Sequence, residues 1–137
     1  MIQLEIVTPE KKIFSGSATD VYLPGSEGEM GVLEMHAALV TSLVPGVLRY
    51  HADGKEEALA IGTGFAEVTQ ERVLVLTDMA AGEAEIDESA TEAAIKRAEE
   101  QLSGLDHDHD AEEVALLEAA LAKSFAQLRL KGRHKGL

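Results

Sequence analysis

Val73-Leu74-Val75-Leu76-Thr77-Asp78-Met79-Ala80-Ala81-Gly82-Glu83-Ala84-Glu85-Ile86-Asp87-Glu88-Ser89-Ala90-Thr91-Glu92 is the stretch in which the chain changes character. It opens as a short apolar run of the kind a buried strand requires, and it ends rich in Ala and Glu with helix-start signals. Upstream of it, apolar residues recur at every second position: Leu4 and Ile6, Val21 and Leu23, Leu59 and Ile61, Val73 and Val75. Turn residues break the runs at Ser15-Gly16, Pro24-Gly25, Pro45-Gly46, Asp53-Gly54 and Gln70-Glu71-Arg72, a spacing that predicts an all-β sandwich or barrel. Asp53-Gly54 lies between Val47-Leu48-Arg49-Tyr50 and Ala58-Leu59-Ala60-Ile61, so a hairpin is predicted there. Downstream, the period becomes helical. Ile95, Ala98, Leu102 and Leu105 form one stripe, and Val114, Leu117, Leu121, Phe125 and Leu128 a second. Ser89-Ala90-Thr91-Glu92 fits a capping box, with Asp87 as the rival N-cap, and Asp110-Ala111-Glu112-Glu113 fits another. The fold class is therefore α+β: an N-terminal antiparallel β-sandwich over residues 1–84, then an antiparallel two-helix hairpin over 85–137.

Two short helices bury too little to hold themselves together. The backbone entropy lost in ordering two helices is not comfortably offset by one stripe on each, about nine mostly aliphatic side chains in all. The hairpin should close only against the β domain or a partner, which makes it a candidate moving part.

Composition removes several function classes. There is no Cys, so neither a disulfide framework nor a thiol nucleophile is available. The first residues have no basic-then-apolar leader pattern, and no window approaches ~18 consecutive apolar residues; neither a signal peptide nor a membrane span is expected. The net charge of −13 is unevenly spread. Residues 1–82 carry 12 acids and 5 bases, 83–113 carry 12 and 2, and 114–137 carry 1 and 5. Such a chain is repelled by nucleic acid and by anionic lipid, and no nucleic-acid partner is expected. The basic end, with Lys123, Arg129, Lys131, Arg133 and Lys135, suits an acidic protein surface. Gly132 is a stop signal, placing Arg133 and Lys135 beyond the helix.

No motif carries chemistry. Asp106-His107-Asp108-His109-Asp110 resembles half of a calcium loop, but Ala111 and Leu117 stand where Gly and Glu are needed. An acidic metal-binding module is the alternative built on this cluster; the simpler reading is a solvated loop ending in an N-cap. Gly62-Thr63-Gly64 lacks the third glycine and the helix of a dinucleotide site, and is read as a strand corner or bulge. Nothing groups a Ser, a His and an Asp as a triad, so a small β-sandwich hydrolase has no positive support. No cofactor, metal ligand or catalytic residue is assigned. Pro24-Gly25-Ser26-Glu27-Gly28-Glu29-Met30-Gly31 is read as an exposed, shaped loop presenting Glu27 and Glu29. His36, just after it, is read first as a structural hydrogen-bonding group.

Leu4-Glu5-Ile6-Val7-Thr8-Pro9-Glu10, Leu23 through Leu33 with His36-Ala37, Gly64-Phe65-Ala66-Glu67-Val68 and Val73 through Asp78 resemble, in order, the epsilon subunit of bacterial F-type ATP synthase. Lys96-Arg97-Ala98-Glu99 and Ala126-Gln127-Leu128-Arg129 extend the resemblance into the helices. The resemblance implies a non-catalytic central-stalk (rotor) subunit, peripheral on the cytoplasmic side of the cell inner membrane. Its β-sandwich would sit on the gamma subunit and the c-subunit ring, and its hairpin would reach the alpha/beta catalytic subunits and restrain ATP hydrolysis. Partner-contact candidates are then Glu27, Glu29, His36, Arg97, Lys123, Arg129, Lys131 and Arg133, with Glu29 toward the ring and His36 near gamma. The family's usual Pro after His-Ala is Ala38 here, and its frequent glycine pair is Thr63-Gly64. Some members bind ATP between the helices; Ala90-Thr91, Lys123 and Gln127 replace the arginine-bearing positions of that pattern, so weak or absent nucleotide binding is expected.

Overall fold

The structure is a computed structural model and describes residues 1–132. Its strands are β1 (Ile2–Val7), β2 (Lys12–Ala18), β3 (Asp20–Gly25), β4 (Gly28–Leu33), β5 (Leu39–Leu43), β6 (Gly46–Ala52), β7 (Lys55–Ile61), β8 (Gly64–Val68), β9 (Arg72–Thr77) and β10 (Ala80–Gly82). A single 3-10 turn, Glu83–Glu85, leads to α1 (Glu88–Ser103) and α2 (Ala111–Gly132). Strand order is β10-β7-β6-β3-β5-β8-β9-β1-β2, with β4 beside β3.

One residue pair, Gly25 with Leu43, joins β3 to β5, and there the sheet folds into two layers. The β10-β7-β6-β3-β4 layer faces the β5-β8-β9-β1-β2 layer. The alternating residues read from the sequence line the space between them: Leu4, Ile6, Val21, Leu23, Ile61, Val73 and Val75 are buried, with Leu48, Val68 and Ala66. Phe14 of β2 closes over Tyr50 of β6, ring centroids 4.7 Å apart. All pairings are antiparallel but one: β1 lies parallel to β9. The β6–β7 hairpin turns at Asp53-Gly54, both at positive φ (53° and 76°), the left-handed pair that a two-residue turn requires.

The glycine-rich segment departs from its reading. It is no open loop but the β3–β4 hairpin, in register from Asp20–Leu33 to Gly25–Gly28, with Ser26-Glu27 as a two-residue turn. Gly28 takes φ 124°, which only glycine adopts readily. Of the two readings of Gly62 and Gly64, the corner holds and not the bulge: they stand where the chain passes from β7 to β8. A side chain at Gly62 would strike the Asp78 carboxylate and the Lys123 stem, and one at Gly64 would strike the Leu76 backbone; both glycines answer to close approach.

Asp87 wins the N-cap of α1, accepting from the Ala90 amide at 3.0 Å. Asp110 stands at the N-cap position of α2, its carbonyl accepting from the Val114 amide at 2.9 Å, while its carboxylate turns back to the Asp106 amide at 3.0 Å and closes the interhelical loop. The two helices pack on one another, and α2 also lies across β6 and β7. That double duty corrects the second stripe. Val114 is buried as expected, but Phe125 is exposed, while Ala126 and Leu130 are buried against Ala60 and Ile86, flanked by Val47, Ala58 and Ala81. A helix that faces both a partner helix and a sheet needs two apolar stripes, and the second joins a small residue, Ala126, to a large one, Leu130.

Candidate functional site: an uncovered sheet face and a seated hairpin

The outer sides of the two layers are built oppositely. On the β6–β7 side the outward residues Val47, Ala58 and Ala60 are small, so α2 can approach the backbone closely. Ala60 and Ala126 are both fully buried. Polar contacts fix the helix at this seat. Lys123 Nζ lies 2.7 Å from Asp78 Oδ2, to which the Thr63 hydroxyl also donates at 3.1 Å. Gln127 reaches Met79 Sδ at 3.8 Å, and its Oε1 is 3.4 Å from the Thr91 hydroxyl of α1.

On the β5-β8-β9-β1 side nothing covers the sheet among the described residues. The register aligns Val40, Glu67, Leu74 and Glu5 in one row and Ser42, Phe65, Leu76 and Val7 in the next. Val40 is 70 % exposed, Phe65 59 % and Leu76 47 %. A groove of about 390 Å³ continues the second row, lined by Val7, Thr8, Pro9, Thr63, Gly64, Leu76, Thr77 and Asp78. Exposed apolar side chains that are neighbours across strands form a patch, and patches of this kind mark protein-binding surfaces. Sequence reasoning did not find these residues. The available signal was the unbroken run Val73-Leu74-Val75-Leu76: its even positions, which should face solvent, are as apolar as its odd ones.

The partner-contact candidates fall in several places. Glu27 sits exposed at the tip of the β3–β4 hairpin. Glu29 is no free charge: its Oε1 accepts from Arg49 Nη2 at 2.8 Å, and that guanidinium stacks over Tyr22 at 4.7 Å and approaches Glu56 at 3.8 Å. His36 lies beyond the opposite end of β4, where its Nδ1–H donates to the Ala37 carbonyl at 2.8 Å. The structure thus separates His36 from Glu27 and Glu29. Arg97 is exposed on α1. Lys123 is turned inward to Asp78, Arg129 lines a groove with Glu29 and Arg49, and Lys131 borders a cleft with Tyr50, Glu56, Glu57 and Glu83. Arg133 lies outside the described residues.

Asp106 and Asp110 serve the loop backbone: Asp106 Oδ1 accepts from the Asp108 amide at 2.8 Å and the His109 amide at 3.4 Å. Among the described residues no three His, Asp or Glu side chains converge to hold a metal, and no helix is long and apolar enough to cross a membrane. The cleft between the start of α1 and α2 is lined by Glu85, Ile86, Asp87, Ala90, Thr91, Ala94, Ser124 and Gln127, two acids and no cation.

A two-layer β domain with a bare apolar face, carrying a helical hairpin on its other side, defines a docking subunit of a larger assembly. Comparison with known proteins gives the assembly. Residues 1–83 match the family model of the ATP synthase delta/epsilon chain β-sandwich domain. The ATP synthase epsilon chain of Pelotomaculum thermopropionicum is 46 % identical over 101 residues, covering 74 % of this chain and 75 % of that one. That of Desulforamulus reducens is 43 % identical over 119 residues, 85 % and 90 % of the two chains. A chain in the Euglena gracilis mitochondrial ATP synthase structure (OSCP/F1/c-ring) superimposes with a TM-score of 0.80 at 27 % identity, over 93 % of this chain and 79 % of that one. The central stalk and c-ring structure of the Tetrahymena thermophila enzyme shares the fold alone, at TM-score 0.53 and 13 % identity over 61 % of this chain and 68 % of that one. The chain belongs to the ATP synthase epsilon-chain family.

Proposed function

We propose that this chain is a non-catalytic rotor subunit of an F1Fo ATP synthase. It docks through the sandwich on the gamma subunit and the c ring, couples ion translocation to ATP synthesis, and restrains hydrolysis through the hairpin when the helices reach the alpha/beta catalytic subunits. The observation that carries the docking step is the exposed patch made by Phe65 and Leu76, paired across β8 and β9, with Val40 in the neighbouring row. Large apolar side chains held rigidly on strands lose little entropy on binding and remove apolar area from water at about 25 cal/mol per Å². Glu27 and Glu29, on the β3–β4 hairpin, and His36, beyond the far end of β4, remain the candidates for polar contacts at the two ends of the sandwich. The basic residues of α2 are the candidates for the acidic catalytic surface. The complex would lie peripherally on the cytoplasmic face of the membrane. The lining of the helix cleft, acidic and without a guanidinium group, supports weak nucleotide binding.

Replacing Phe65 and Leu76 together by Glu tests the reading. The chain should stay folded, since both side chains already face water, while affinity for gamma drops at least about 100-fold, as when hot-spot residues are lost. Undiminished binding of gamma by a folded Phe65→Glu/Leu76→Glu protein would remove the face from the interface.

A further inference from the structure

Asp78 belongs to both regions described above. It lines the groove on the uncovered face together with Val7, Pro9 and Leu76, where Gly64 leaves the backbone bare. Through Oδ2 its carboxylate holds Lys123 of α2 at 2.7 Å and the Thr63 hydroxyl at 3.1 Å. Gly62 makes this dual position possible, because a side chain there would overlap the Asp78 carboxylate and crowd the Lys123 stem. The ion pair is only partly shielded, with side-chain exposures of 32 % for Lys123 and 42 % for Asp78. Pairs of that exposure are worth little against water and exchange partners easily.

The groove's chemistry specifies what would fill it. Its walls are apolar, Asp78 is among its lining residues, and the adjoining row carries Glu67 and Glu5, the latter paired with Arg72 at 3.2 Å. An apolar side chain followed by a lysine or arginine fits both features, and a cationic segment is attracted by a chain of net charge −13.

We propose that the groove takes an apolar-then-basic segment of the central-stalk partner, and that the partner's cation competes with Lys123 for Asp78, so that docking loosens the hairpin from its seat. The inference rests on the docking reading above and adds a coupling to it. Coupling of this kind is reciprocal: whatever docking does to the Lys123 contact, loss of that contact does to docking. No long pathway is needed, since one carboxylate is the shared element.

Two variants of the full chain separate the coupling from simple opening. Lys123→Met and Asp78→Asn both break the ion pair, and both should speed hydrogen exchange of α2 amides. Their effects on binding of purified gamma subunit should have opposite signs. Lys123→Met leaves Asp78 to the partner and should tighten binding roughly fivefold or more, whereas Asp78→Asn removes the partner's counter-ion and should weaken it by a similar factor. Adding gamma should accelerate α2 exchange in the native chain but add nothing in Lys123→Met. If both variants shift affinity in the same direction, or neither does, while Phe65→Glu/Leu76→Glu abolishes binding, the coupling is overturned and the docking reading stands. If Phe65→Glu/Leu76→Glu still binds fully, the docking reading falls and the coupling with it.

Discussion

The two outer faces of this sandwich use apolar residues of different size for different ends. Beneath α2 the sheet presents Val47, Ala58 and Ala60, and the helix answers with Ala126 and Leu130. On the far side it presents Val40, Phe65 and Leu76 to solvent. Apart from Leu130, this seat is made of small residues that bury modest area each, and it is held by close approach and a partly exposed ion pair, so it can be left at low cost. Large side chains on rigid strands commit far more area to whatever covers them. On the proposed reading the hairpin is the removable cover and the bare face the lasting joint.

The strongest way to break the comparison is to delete the hairpin. A chain ending at residue 84 should fold alone, because the buried cluster between the layers is drawn from the strands. Loss of the α2 seat should lower the melting temperature by roughly 5–15 °C, corresponding to one or two kcal/mol in a domain of this size. The fragment should bind gamma as the full chain does, and F1 carrying it should hydrolyse ATP faster. A fragment that fails to melt cooperatively would show that the helices complete the core and that no independent β domain exists.

Much of this architecture is legible in the sequence, and the illegible parts share a cause. Inward alternation such as Leu4, Ile6, Val73 and Val75 identifies the strands because each pairs a large apolar residue with a fixed period. Asp53-Gly54 identifies its hairpin because few residues tolerate positive φ. The α2 seat escapes, since Ala126 and Ala60 contribute little hydropathy and a one-stripe template directs attention to Phe125, which is exposed. The β3–β4 hairpin reads as a loop because its glycines serve a tight turn and cross-strand packing within strands: a side chain at Gly31 would press on the Tyr22 ring. The pairing of Glu29 with Arg49, twenty residues away, follows from register alone.

A finer cut at the seat is overpacking. Ala126 and Ala60 are each 0 % exposed, so Ala126→Leu has no room without moving the helix, a cost of ~1–3 kcal/mol. Exchange at α2 amides should accelerate by about 5- to 150-fold, with amides of β1, β8 and β9 unchanged. Leu116→Ala, at a position 72 % exposed, should stay within about 0.5 kcal/mol of the parent. Equal effects from the two substitutions would mean that α2 is not seated where Ala126 meets Ala60.

A smaller effect is expected from charge. Lys123 is held by Asp78 while the hairpin is seated, so a charge test that leaves the seat itself intact uses Arg129, Lys131 and Arg133. Changing those three to Gln should raise hydrolysis by F1 roughly two- to fivefold at low ionic strength, and the difference should shrink toward 0.5 M salt as screening shortens the reach of each charge. Hydrolysis that responds to deletion of the hairpin but not to this triple change would assign the brake to the helices' shape instead of their charge.

The smallest effect concerns Tyr50, which lies on the inner side of β6 and lines the cleft closed by Leu130 and Lys131 at the end of α2. Burial, and then the Glu57 charge, push its phenol above the ordinary value near 10. A group whose folded pKa is raised keeps its proton longer in the native than in the unfolded chain. Its contribution is therefore fully present below about pH 10 and is lost as pH rises through the higher folded value. Native protein should accordingly lose stability above pH 10 more steeply than Tyr50→Phe, while the two stay within about 1 kcal/mol at pH 7. Reading the difference between the two proteins removes the lysines, which titrate in the same window in both. In the fragment ending at residue 84 the α2 wall of the cleft is gone, so the phenol is better solvated and the gap between Tyr and Phe should narrow. Denaturation curves at pH 7, 10 and 11 on the four proteins decide it. Superimposed pH profiles for the full-length pair would show that Tyr50 is not desolvated. A gap that persists undiminished in the fragment would show that the strands alone bury it, and that α2 covers less of this face than its seat implies.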